Sequence, residues 1–588
     1  STTTFNGYYS YNQTWQPGQT FTTHAGTKVT IDWISNSGAG ITIESMATVA
    51  AAKAIESVAS ATASLGSATS SVICGLRDSG CYQMFQNGSI HYAPGVGAFA
   101  TGGAIRVAWA AQGFENGKLG YPTDKEYCGL ANAGCYQAFQ NGSIHYAPGV
   151  GAYATLGAIR TTWSALGFER GKLGYPTGNE VCGLTGGGCY QGFQGGSIHY
   201  APGIGAFATW GAIRDTWGAL GFEKSKLGYP ITTETCGLTG GGCYQGFQKG
   251  SIHYVPGQGA FATWGAIRGA WGAQGFEKGK LGYPVANETC GLTGGGCSQS
   301  FKNGTIHYVA GIGAFATAGP IRTTWSALSS EKGKLGYPTS NEACGLPGGG
   351  CYQFFQGGTI HNAPGIGAYA TWGAIRDTWG AQGFERGILG YATRNETCGL
   401  TGGGCSQSFQ NGAIYYSPAL GAYVTAGPTL ATWRALNAEK GKLGYPASNE
   451  VCGLPGNGCY QLFQGGTVHN APGVGAYATW GAIRDTWGAL GFERGKLGYP
   501  ITNEICGLTG SGCYQVFQGG TIHYAPAVGA SATWGAIRDT WGSLGYEKGK
   551  LGYPVGNEVC GLAGGGCSQK FQNGAINWSP VQGITVTP

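Results

Sequence analysis

The sequence predicts a mainly β protein with short helices, in which tandem 54-residue repeats form propeller-like rings behind a small N-terminal β and helical segment. Three observations lead to this fold. The tetrapeptide LGYP, or LGYA once, recurs every 54 residues without slippage. All 20 cysteines form pairs with one spacing, and 115 of the 588 residues are glycine, which is typical of turn-rich structure.

One repeat, residues 182–230, illustrates the order of the predicted elements. CGLTGGGC is a glycine-rich loop, and YQGFQ and SIHY predict two strands joined by a tight GG turn. AFAT predicts a third short strand after the turn APGIG. Trp210, Ile213 and Trp217 share one apolar stripe, so the next segment is predicted to be an amphipathic helix that ends at Gly221. EKSKLGYPITTE is predicted to be a loop to the next unit.

A three-stranded sheet cannot bury its apolar face alone, so each unit must pack on its neighbours. Radial closure would give a propeller and open stacking would give a solenoid. The fifth and tenth units read GCSQ in place of GCYQ, as does the seventh, and this pattern weakly favours two five-unit rings. The rings are predicted to span residues 71–334 and 335–588.

The ends of the array are predicted to be unmatched. Ten hairpins alternate with nine helices and nine LGYP-type loops, because no LGYP precedes the first cysteine pair and no helix follows the last strands. Such ends could complete each other in a closed ring, act as caps, or join subunits. Residues 1–70 are predicted to hold a β-rich segment and an Ala- and Ser-rich helical linker, as a small module, a remnant of a larger domain, or an assembly segment.

Composition excludes several classes of protein. The chain is 42% hydrophobic, 12% aromatic and only 10% charged, unlike a disordered chain. Its formal charge is +6 with Lys and Arg spread singly, so we expect no nucleic-acid partner. No run of 18 apolar residues exists, so we expect no membrane span. No signal peptide is visible at Ser1, which suggests an already processed form.

The cysteine pairs predict disulfides and an oxidising compartment. Zinc is a weaker alternative, since it usually takes C-x2–4-C ligands from two segments, and reduced structural cysteines are another. The predicted bridges are Cys74–Cys81, Cys128–Cys135, Cys182–Cys189, Cys236–Cys243, Cys290–Cys297, Cys344–Cys351, Cys398–Cys405, Cys452–Cys459, Cys506–Cys513 and Cys560–Cys567.

The motifs LGYP, YQxFQxGxIH and GAIR…W at a 54-residue period resemble the LGFP-repeat family over roughly residues 72–580. The resemblance implies an exported actinobacterial protein associated with the cell wall. It also implies a five-bladed, propeller-like ring of repeats. In that family the repeats often follow a hydrolase or mycolyltransferase domain and hold it to the wall, whereas no catalytic domain precedes them in this sequence.

No nucleophile elbow, HExxH or phosphate-binding loop is present, and we expect no catalysis, no cofactor and no metal ion. His recurs at one repeat position, as do Glu from Glu126 to Glu558 and Arg from Arg106 to Arg538. An enzyme needs one asymmetric set of groups, so equivalent copies indicate structure or multivalent binding. Glu and Arg are predicted to form an ion pair or hydrogen-bond clamp between units, and His a structural hydrogen bond.

Two classes of tryptophan are distinguishable. Nine recur at the helix end, from Trp109 to Trp541, and are predicted to be core. Five occur in only some units, which is typical of a ligand surface, and an indole can stack on a sugar ring. The predicted glycan contacts are Trp210, Trp264, Trp372, Trp480 and Trp534, with His199, Tyr200, His253 and Tyr254.

The sequence therefore predicts a secreted, non-catalytic cell-wall or surface protein whose disulfide-stapled repeats bind cell-envelope polysaccharide multivalently. The alternative is a structural subunit that polymerises with itself into an extracellular filament or sheath through the N-terminal segment. An enzyme with its site in residues 1–70 or at a ring centre is a third, weaker hypothesis.

Overall fold

The computed structural model describes residues 15–23 and 27–588. In the described residues, eleven antiparallel sheets follow one another along the chain, one with three strands and ten with four. In every sheet, consecutive strands are neighbours, so each repeat is a meander. The predicted strands in residues 1–14 lie outside the described residues.

The strand bounds repeat with the 54-residue period. The N-terminal sheet has β1 Thr20–Thr22, β2 Lys28–Ser35 and β3 Gly38–Glu44. The repeat sheets have β4 to β7 at Ile73–Leu76, Gly80–Phe85, Gly88–Ala93 and Gly97–Gly102; β8 to β11 at Tyr127–Cys128, Cys135–Phe139, Gly142–Ala147 and Gly151–Leu156; β12 to β15 at Val181–Leu184, Gly188–Phe193, Gly196–Ala201 and Gly205–Trp210; β16 to β19 at Thr235–Leu238, Gly242–Phe247, Gly250–Val255 and Gly259–Trp264; and β20 to β23 at Thr289–Leu292, Gly296–Phe301, Gly304–Val309 and Gly313–Ala318.

The later sheets have β24 to β27 at Ala343–Leu346, Gly350–Phe355, Gly358–Ala363 and Gly367–Trp372; β28 to β31 at Thr397–Leu400, Gly404–Phe409, Gly412–Ser417 and Gly421–Ala426; β32 to β35 at Val451–Leu454, Gly458–Phe463, Gly466–Ala471 and Gly475–Trp480; β36 to β39 at Ile505–Leu508, Gly512–Phe517, Gly520–Ala525 and Gly529–Trp534; and β40 to β43 at Val559–Leu562, Gly566–Phe571, Gly574–Ser579 and Gly583–Thr587.

Helices alternate with these sheets. Their bounds are α1 Met46–Ala61, α2 Gly103–Ala111, α3 Gly157–Ala165, α4 Gly211–Ala219, α5 Gly265–Ala273, α6 Gly319–Ala327, α7 Gly373–Ala381, α8 Gly427–Ala435, α9 Gly481–Ala489 and α10 Gly535–Ser543. Helix α4 ends as predicted, since Gly221 has the left-handed conformation with φ 100°. Trp210, predicted to start the helix, is its extended N-cap residue and the last residue of β15.

The cysteine segment is a hairpin and not the predicted loop. Cys182 of β12 lies directly opposite Cys189 of β13, and the disulfide joins this cross-strand pair. Gly186 and Gly187 turn the chain with φ of 70° and 75°, which a side chain would disfavour. The short strand β12 was missed because most of its residues are exposed and it lacks the alternation that identifies longer strands.

Helices α2 to α4 and α6 to α10 each cover the sheet of the following repeat. Ile213 and Trp217 of α4 pack on Phe247 and Ile252 of the next sheet, together with Leu227 of the intervening LGYP segment. The Trp217 indole N–H donates to the Gly228 carbonyl at 3.2 Å. The recurring helix-end tryptophans are fully buried, which confirms their prediction as core.

Helix α1 provides this cover for the first repeat sheet. Ala51 and Ile55 pack on Phe85 and Ile90, at positions 54 residues before the corresponding Ile and Trp of α2. Leu65 occupies the position of the LGYP leucine and is 4% exposed. The helix predicted before the repeats is therefore present. It packs on the first repeat sheet at the position that the short helices occupy in later repeats, despite its different sequence.

Neighbouring repeats are also joined by neutral hydrogen bonds. At the open edge of β11, the Ala154 N–H donates to Asn179 Oδ1 at 3.0 Å, and Gln191 Nε2 donates to the Ala154 carbonyl at 2.8 Å. In the opposite direction, Thr162 Oγ1 of α3 donates to the Ala206 carbonyl at 3.0 Å. The next repeat thus satisfies backbone groups that an edge strand would leave unpaired.

The LGYP tyrosine reaches back to the preceding cysteine hairpin. The Tyr175 hydroxyl donates to the Ala131 carbonyl at 2.6 Å, and burial raises the pKa of Tyr175. A side chain at Gly134 would collide with this hydroxyl, since a Cβ placed there would lie 2.1 Å from it. The same contact recurs in other repeats, for example from Tyr229 to Thr185 at 2.7 Å.

We expect Tyr175→Phe to lower the free energy of unfolding by about 1 kcal/mol, because it leaves the Ala131 carbonyl without this donor. Urea unfolding followed by tryptophan fluorescence would measure the loss. Tyr153→Phe is the matched control, since the next repeat carries Phe207 at that position. Equal stability of the two variants would contradict a role for the hydroxyl.

The chain divides into two compact units, residues 1–288 with 300–302 and residues 289–299 with 303–588. The first contains the N-terminal sheet, and both contain repeats of the architecture described above. In residues 15–23 and 27–588, no helix combines the length and apolar character needed to cross a membrane.

Candidate ligand-binding clefts

A small cleft lies beside the recurring histidine in the sixth and ninth repeats. In the sixth repeat, strands β25 and β26 provide Tyr352 and His361, and a 3-10 turn after α7 provides Phe384. The His361 ring lies between the other two, with ring centroids 5.5 Å from Tyr352 and 6.0 Å from Phe384. Its edge contacts the Trp379 ring at 4.6 Å.

Charged groups complete the cleft. Arg376 of α7 donates from Nε to Thr359 Oγ1 at 3.2 Å, and its guanidinium lies over the Phe354 and Phe384 rings at 5.9 and 5.8 Å. Glu385 Oε2 lies 3.9 Å from His361 Nε2, and both side chains are only 6% exposed. These groups enclose a cavity of about 200 Å³.

Burial and, to a lesser degree, the Arg376 charge lower the pKa of His361 to about 4. The imidazole is therefore neutral at neutral pH. Its Nδ1 has no hydrogen-bond partner, so the predicted structural hydrogen bond of this histidine is wrong and ring contacts hold it instead. His145 differs, because its Nδ1 lies 3.4 Å from Ser143 Oγ.

The complete aromatic sandwich recurs seven times in residues 65–587. The central histidines are His91, His145, His199, His253, His361, His469 and His523. In the ninth repeat the cavity is larger, about 380 Å³, with Tyr546 in place of phenylalanine. The fifth and seventh repeats have Ser298 and Ser406 in place of the cleft tyrosine.

Ten consecutive segments match the LGFP repeat: residues 65–117, 119–171, 173–225, 227–279, 281–333, 335–387, 389–441, 443–495, 497–549 and 551–587. The chain belongs to the LGFP repeat family. The match confirms the resemblance inferred from the sequence motifs. It begins at Leu65, so the segment before the first cysteine pair is part of a repeat.

Bacterial proteins with extracellular or surface locations are among the solved structures that resemble the chain. The extracellular domain of a hybrid two-component system from B. thetaiotaomicron has 10% identity over 97% of this chain and 70% of that chain, with a TM-score of 0.12. PorZ, a surface component of the type-IX secretion system of Porphyromonas gingivalis, has 9% identity over 86% of this chain and 61% of that chain, with a TM-score of 0.12. Similarities this weak carry no argument about the LGFP protein. No curated protein matches the chain.

The predicted disulfides are all present. Each LGFP repeat has one, with a sequence separation of 7 residues, and residues 27–588 contain no free cysteine. Ten bridges indicate an oxidising compartment outside the cytoplasm.

The structure separates the predicted glycan-contact residues. His199 and His253 each lie between two aromatic rings. Tyr200 and Tyr254 follow them directly in the strand and therefore face the opposite side, where they pack on the core. Trp210 lies on this opposite side too, with its ring packed near the core and the Lys172 ammonium 5.2 Å from its centroid.

The other four variable tryptophans repeat this arrangement. Lysine lies over each ring in the pairs Trp264–Lys226, Trp372–Lys334, Trp480–Lys442 and Trp534–Lys496. One ring face is therefore already in contact with a cation. Glycan binding by these tryptophans stays a prediction.

The predicted clamp between Glu and Arg is wrong in the third and fourth LGFP repeats. Arg214 Nε donates to Ser197 Oγ at 2.9 Å, and its guanidinium lies over the Phe222 ring at 5.8 Å. Glu234 Oε1 instead lies 3.1 Å from Cys236 Sγ of the exposed disulfide edge. The helix turns the arginine toward its own sheet, so the two side chains occupy different environments.

Sequence reasoning missed Phe384 and Glu385 as cleft residues. They belong to a segment that reads as a polar loop, and Phe384 adopts a left-handed backbone with φ 53°. Their recurrence every 54 residues, as in Phe222 and Glu223, was the available signal. Only the tertiary structure shows that these recurring residues contact the histidine.

We expect the LGFP array to lose stability as the pH falls from 6.5 toward 4. Burial lowers the pKa of its eight recurring histidines to about 3 or 4, whereas the unfolded value is near 6.5. The unfolded chain then binds more protons, which lowers the free energy of unfolding by about 3 kcal/mol per histidine at pH 4. Burial also raises the pKa of carboxyls such as Glu180, which partly offsets the loss at the acid end.

Urea unfolding at pH 7, 6 and 5 would measure this slope. A double variant, Tyr352→Ser with His361→Tyr, reproduces Ser406 and Tyr415 of the seventh LGFP repeat and is the matched control. On unfolding at pH 5, this variant should take up about one proton less than the unaltered chain, because it has one buried histidine fewer. A stability that does not change between pH 7 and 5 would contradict the expectation.

Proposed function

We propose that this LGFP-repeat chain is a secreted, non-catalytic cell-envelope protein that binds polysaccharide multivalently through the recurring clefts. The observation that carries the proposal is the sevenfold recurrence of the aromatic sandwich, which in the sixth repeat lines a cleft together with a guanidinium and a buried carboxylate. Copies of one arrangement suit a polymer of repeating units, because each unit of the ligand meets an equivalent site.

The chemistry of one cleft suits a sugar. Phe354, 38% exposed, and the half-buried Tyr352 and Phe384 offer ring surface to the C–H face of a pyranose. Arg376 and Glu385 provide a donor and an acceptor for hydroxyl groups at the same opening. A few polar groups in an otherwise aromatic depression are typical of small-molecule sites.

The same geometry argues against glycoside hydrolysis. Glycosidases use a pair of carboxylates, whereas the residues that line the sixth-repeat cleft include only Glu385. The neighbouring His361, whose pKa is lowered to about 4, holds no acidic proton at neutral pH. We therefore propose binding without turnover, and prolonged incubation with polysaccharide should release no new reducing ends.

Retention on immobilised cell-wall polysaccharide tests the proposal. We expect the intact, oxidised chain to be retained and a neutral glucan column to retain it less. The cleft variant replaces one aromatic residue per site by alanine, which the seventh repeat carries at Ala438 with a similar φ of 48°. The replaced residues are Phe114, Phe168, Phe222, Phe276, Phe384, Phe492 and Tyr546.

We expect the cleft variant to lose retention, because the linked sites act through effective concentration and all are weakened together. A second variant replaces the five variable tryptophans by alanine, the residue at 318 and 426, and tests the sequence-based prediction. Loss of retention only in the second variant would show that the polysaccharide binds at the five variable tryptophans and not at the histidine clefts. Failure of the unaltered chain to bind would overturn polysaccharide binding itself.

The filament hypothesis has one specific observation in its favour. On β2 and β3, Trp33 is 53%, Ile43 63% and Ile41 42% exposed, so the N-terminal sheet presents apolar surface. Such a surface suits contact between copies of the chain. If this second function holds, removal of residues 1–44 should abolish assemblies of high mass in light scattering. Assemblies that persist without these residues would contradict it, and polysaccharide retention should be unchanged in either case.

The two five-unit, propeller-like rings at residues 71–334 and 335–588 stay part of the proposal. Within each compact unit, packing of a helix on the next sheet supports stacking of neighbouring repeats. Electron microscopy of single particles would distinguish paired rings from an open solenoid.

A further inference from the structure

A groove of about 810 Å³ lies beside the first repeat sheet, between helix α1 and the second cysteine hairpin. Its lining includes Ser64, Leu65, Gly102 and Glu126. The groove lies on the face of the sheet that α1 covers, opposite the histidine cleft, and so belongs to a different surface from the site proposed above.

The groove corresponds to the tryptophan position of the other repeats. Gly102 pairs with Gly88 across the sheet, just as Trp210 pairs with Gly196 two repeats later. The backbone is the same at both positions, with φ and ψ of −142° and 179° at Gly102 and −148° and 170° at Trp210. The first repeat therefore has the backbone of the tryptophan site without its indole.

The first repeat also lacks the cation of that site. In the third repeat the Lys172 ammonium lies over the Trp210 ring at 5.2 Å and attracts the Glu234 carboxylate. Ser64 stands at the position of Lys172, and Glu126 at the position of Glu234. Burial raises the pKa of Glu126, with no lysine to oppose it as Lys172 does for Glu234.

The charged groups around the groove leave this carboxylate available. Asp124 accepts hydrogen bonds from the Tyr127 hydroxyl at 3.1 and 3.2 Å, and Lys125 directs its ammonium over the Tyr127 ring at 5.3 Å. Glu126 Oε1 lies 3.6 Å from Cys128 Sγ, a disulfide sulfur that has no proton to donate. By contrast, Glu450, which stands at the position of Glu126 beside the Ala426 site, accepts a hydrogen bond from Thr429 at 2.8 Å.

We propose that the Gly102 groove binds an indole ring with a neighbouring ammonium group, presented as a tryptophan–lysine pair by a partner protein. The ring takes the place that the chain's own tryptophan fills in five other repeats, and the ammonium pairs with Glu126. The ligand restores the ring and the charge that this repeat lacks. The inference is independent of polysaccharide binding.

Tryptamine is the probe, because it carries both groups in one molecule. We expect saturation-transfer NMR with the full oxidised chain to show contact with the tryptamine ring, and indole-3-propionate, with the opposite charge, to bind about tenfold more weakly. A lysyl-tryptophan dipeptide should compete with tryptamine. Equal binding of the two indoles would overturn the role of the carboxylate, and absence of tryptamine contact would overturn the site.

Gly102→Trp fills the groove with the residue of the sister repeats and should abolish tryptamine contact without loss of thermal stability. Gly102→Leu, which reproduces Leu156 of the second repeat, serves the same purpose if the larger residue impairs folding. Leu156→Trp is the matched control and should leave contact unchanged. Glu126→Gln should weaken tryptamine to the level of indole-3-propionate. Undiminished contact in both Gly102 variants would overturn the assignment.

Discussion

Reduction of the ten disulfides is expected to cause the largest loss of stability in this protein. Each bridge closes a segment with a sequence separation of 7 residues, and the chain-entropy estimate for a loop of this size is about 2.5 kcal/mol. The closed segment contains glycines such as Gly402 and Gly403, which lose much conformational freedom on folding. Because helix α7 packs on the sheet of the seventh repeat, loosening the hairpin of that repeat also weakens this contact with its neighbour.

The first cysteine of the seventh-repeat pair, Cys398, is exposed, so a thiol reagent can reach it in the folded protein. Thermal unfolding followed by circular dichroism, with and without reductant and with a count of free thiols, would measure the loss. A double variant, Cys398→Ser with Cys405→Ser, should reproduce about 2.5 kcal/mol of it in one repeat. An unchanged melting temperature after complete reduction would show that packing alone holds the hairpins.

Trp379→Ala is expected to destabilise the protein more than any other single substitution in its repeat. The side chain is fully buried, its indole N–H donates to the Gly390 carbonyl at 3.1 Å, and its ring contacts His361 and Phe409 in consecutive repeats. Replacement leaves a large cavity and a carbonyl without its donor, which should lower the free energy of unfolding by about 3–5 kcal/mol.

Trp372→Ala in the same repeat is the matched control, since two other repeats carry Ala318 and Ala426 at its position. We expect it to cost much less, because that indole is half-buried at the sheet edge. Hydrogen exchange would localise the effect of Trp379→Ala to the sheets on either side of α7. Equal losses for the two variants, or a loss spread evenly over the chain, would contradict this account of the packing.

Much of one repeat could be predicted because its signals are local. Strands β13 to β15 follow from short alternating segments, and the end of α4 follows from Gly221. The even cysteine count at one spacing led to the correct bridges, since each pair closes a short segment of chain. The hairpin that carries Cys182 was missed because an exposed four-residue strand has no apolar alternation to mark it.

The candidate site was predicted only in part. Of the predicted glycan contacts, His199 lies between two aromatic rings, whereas Tyr200, its neighbour in sequence, faces the core. Because successive side chains of a strand point to opposite faces, His199 and Tyr200 could not both lie at one site. The alternation does not show which of the two faces is covered by the core. Phe384 and Glu385 meet the histidine only through tertiary contact. The predicted pairing of Arg with Glu is wrong in the repeats described above, because opposite charge does not show toward which side of the helix the arginine side chain points.

The sequence alone determined the 54-residue period, the ten sulfur bridges and the family, because each depends on residues close together or on simple repetition. Tertiary structure decided which sheet each helix covers. The apolar stripe of α4 could be buried equally well against its own sheet or against the next one, because the hydrophobic effect depends on the area buried and not on the identity of the surface that covers it. Only the packed chain shows Trp217 on the following repeat, α1 in place of a missing helix, and a histidine cleft on the opposite face.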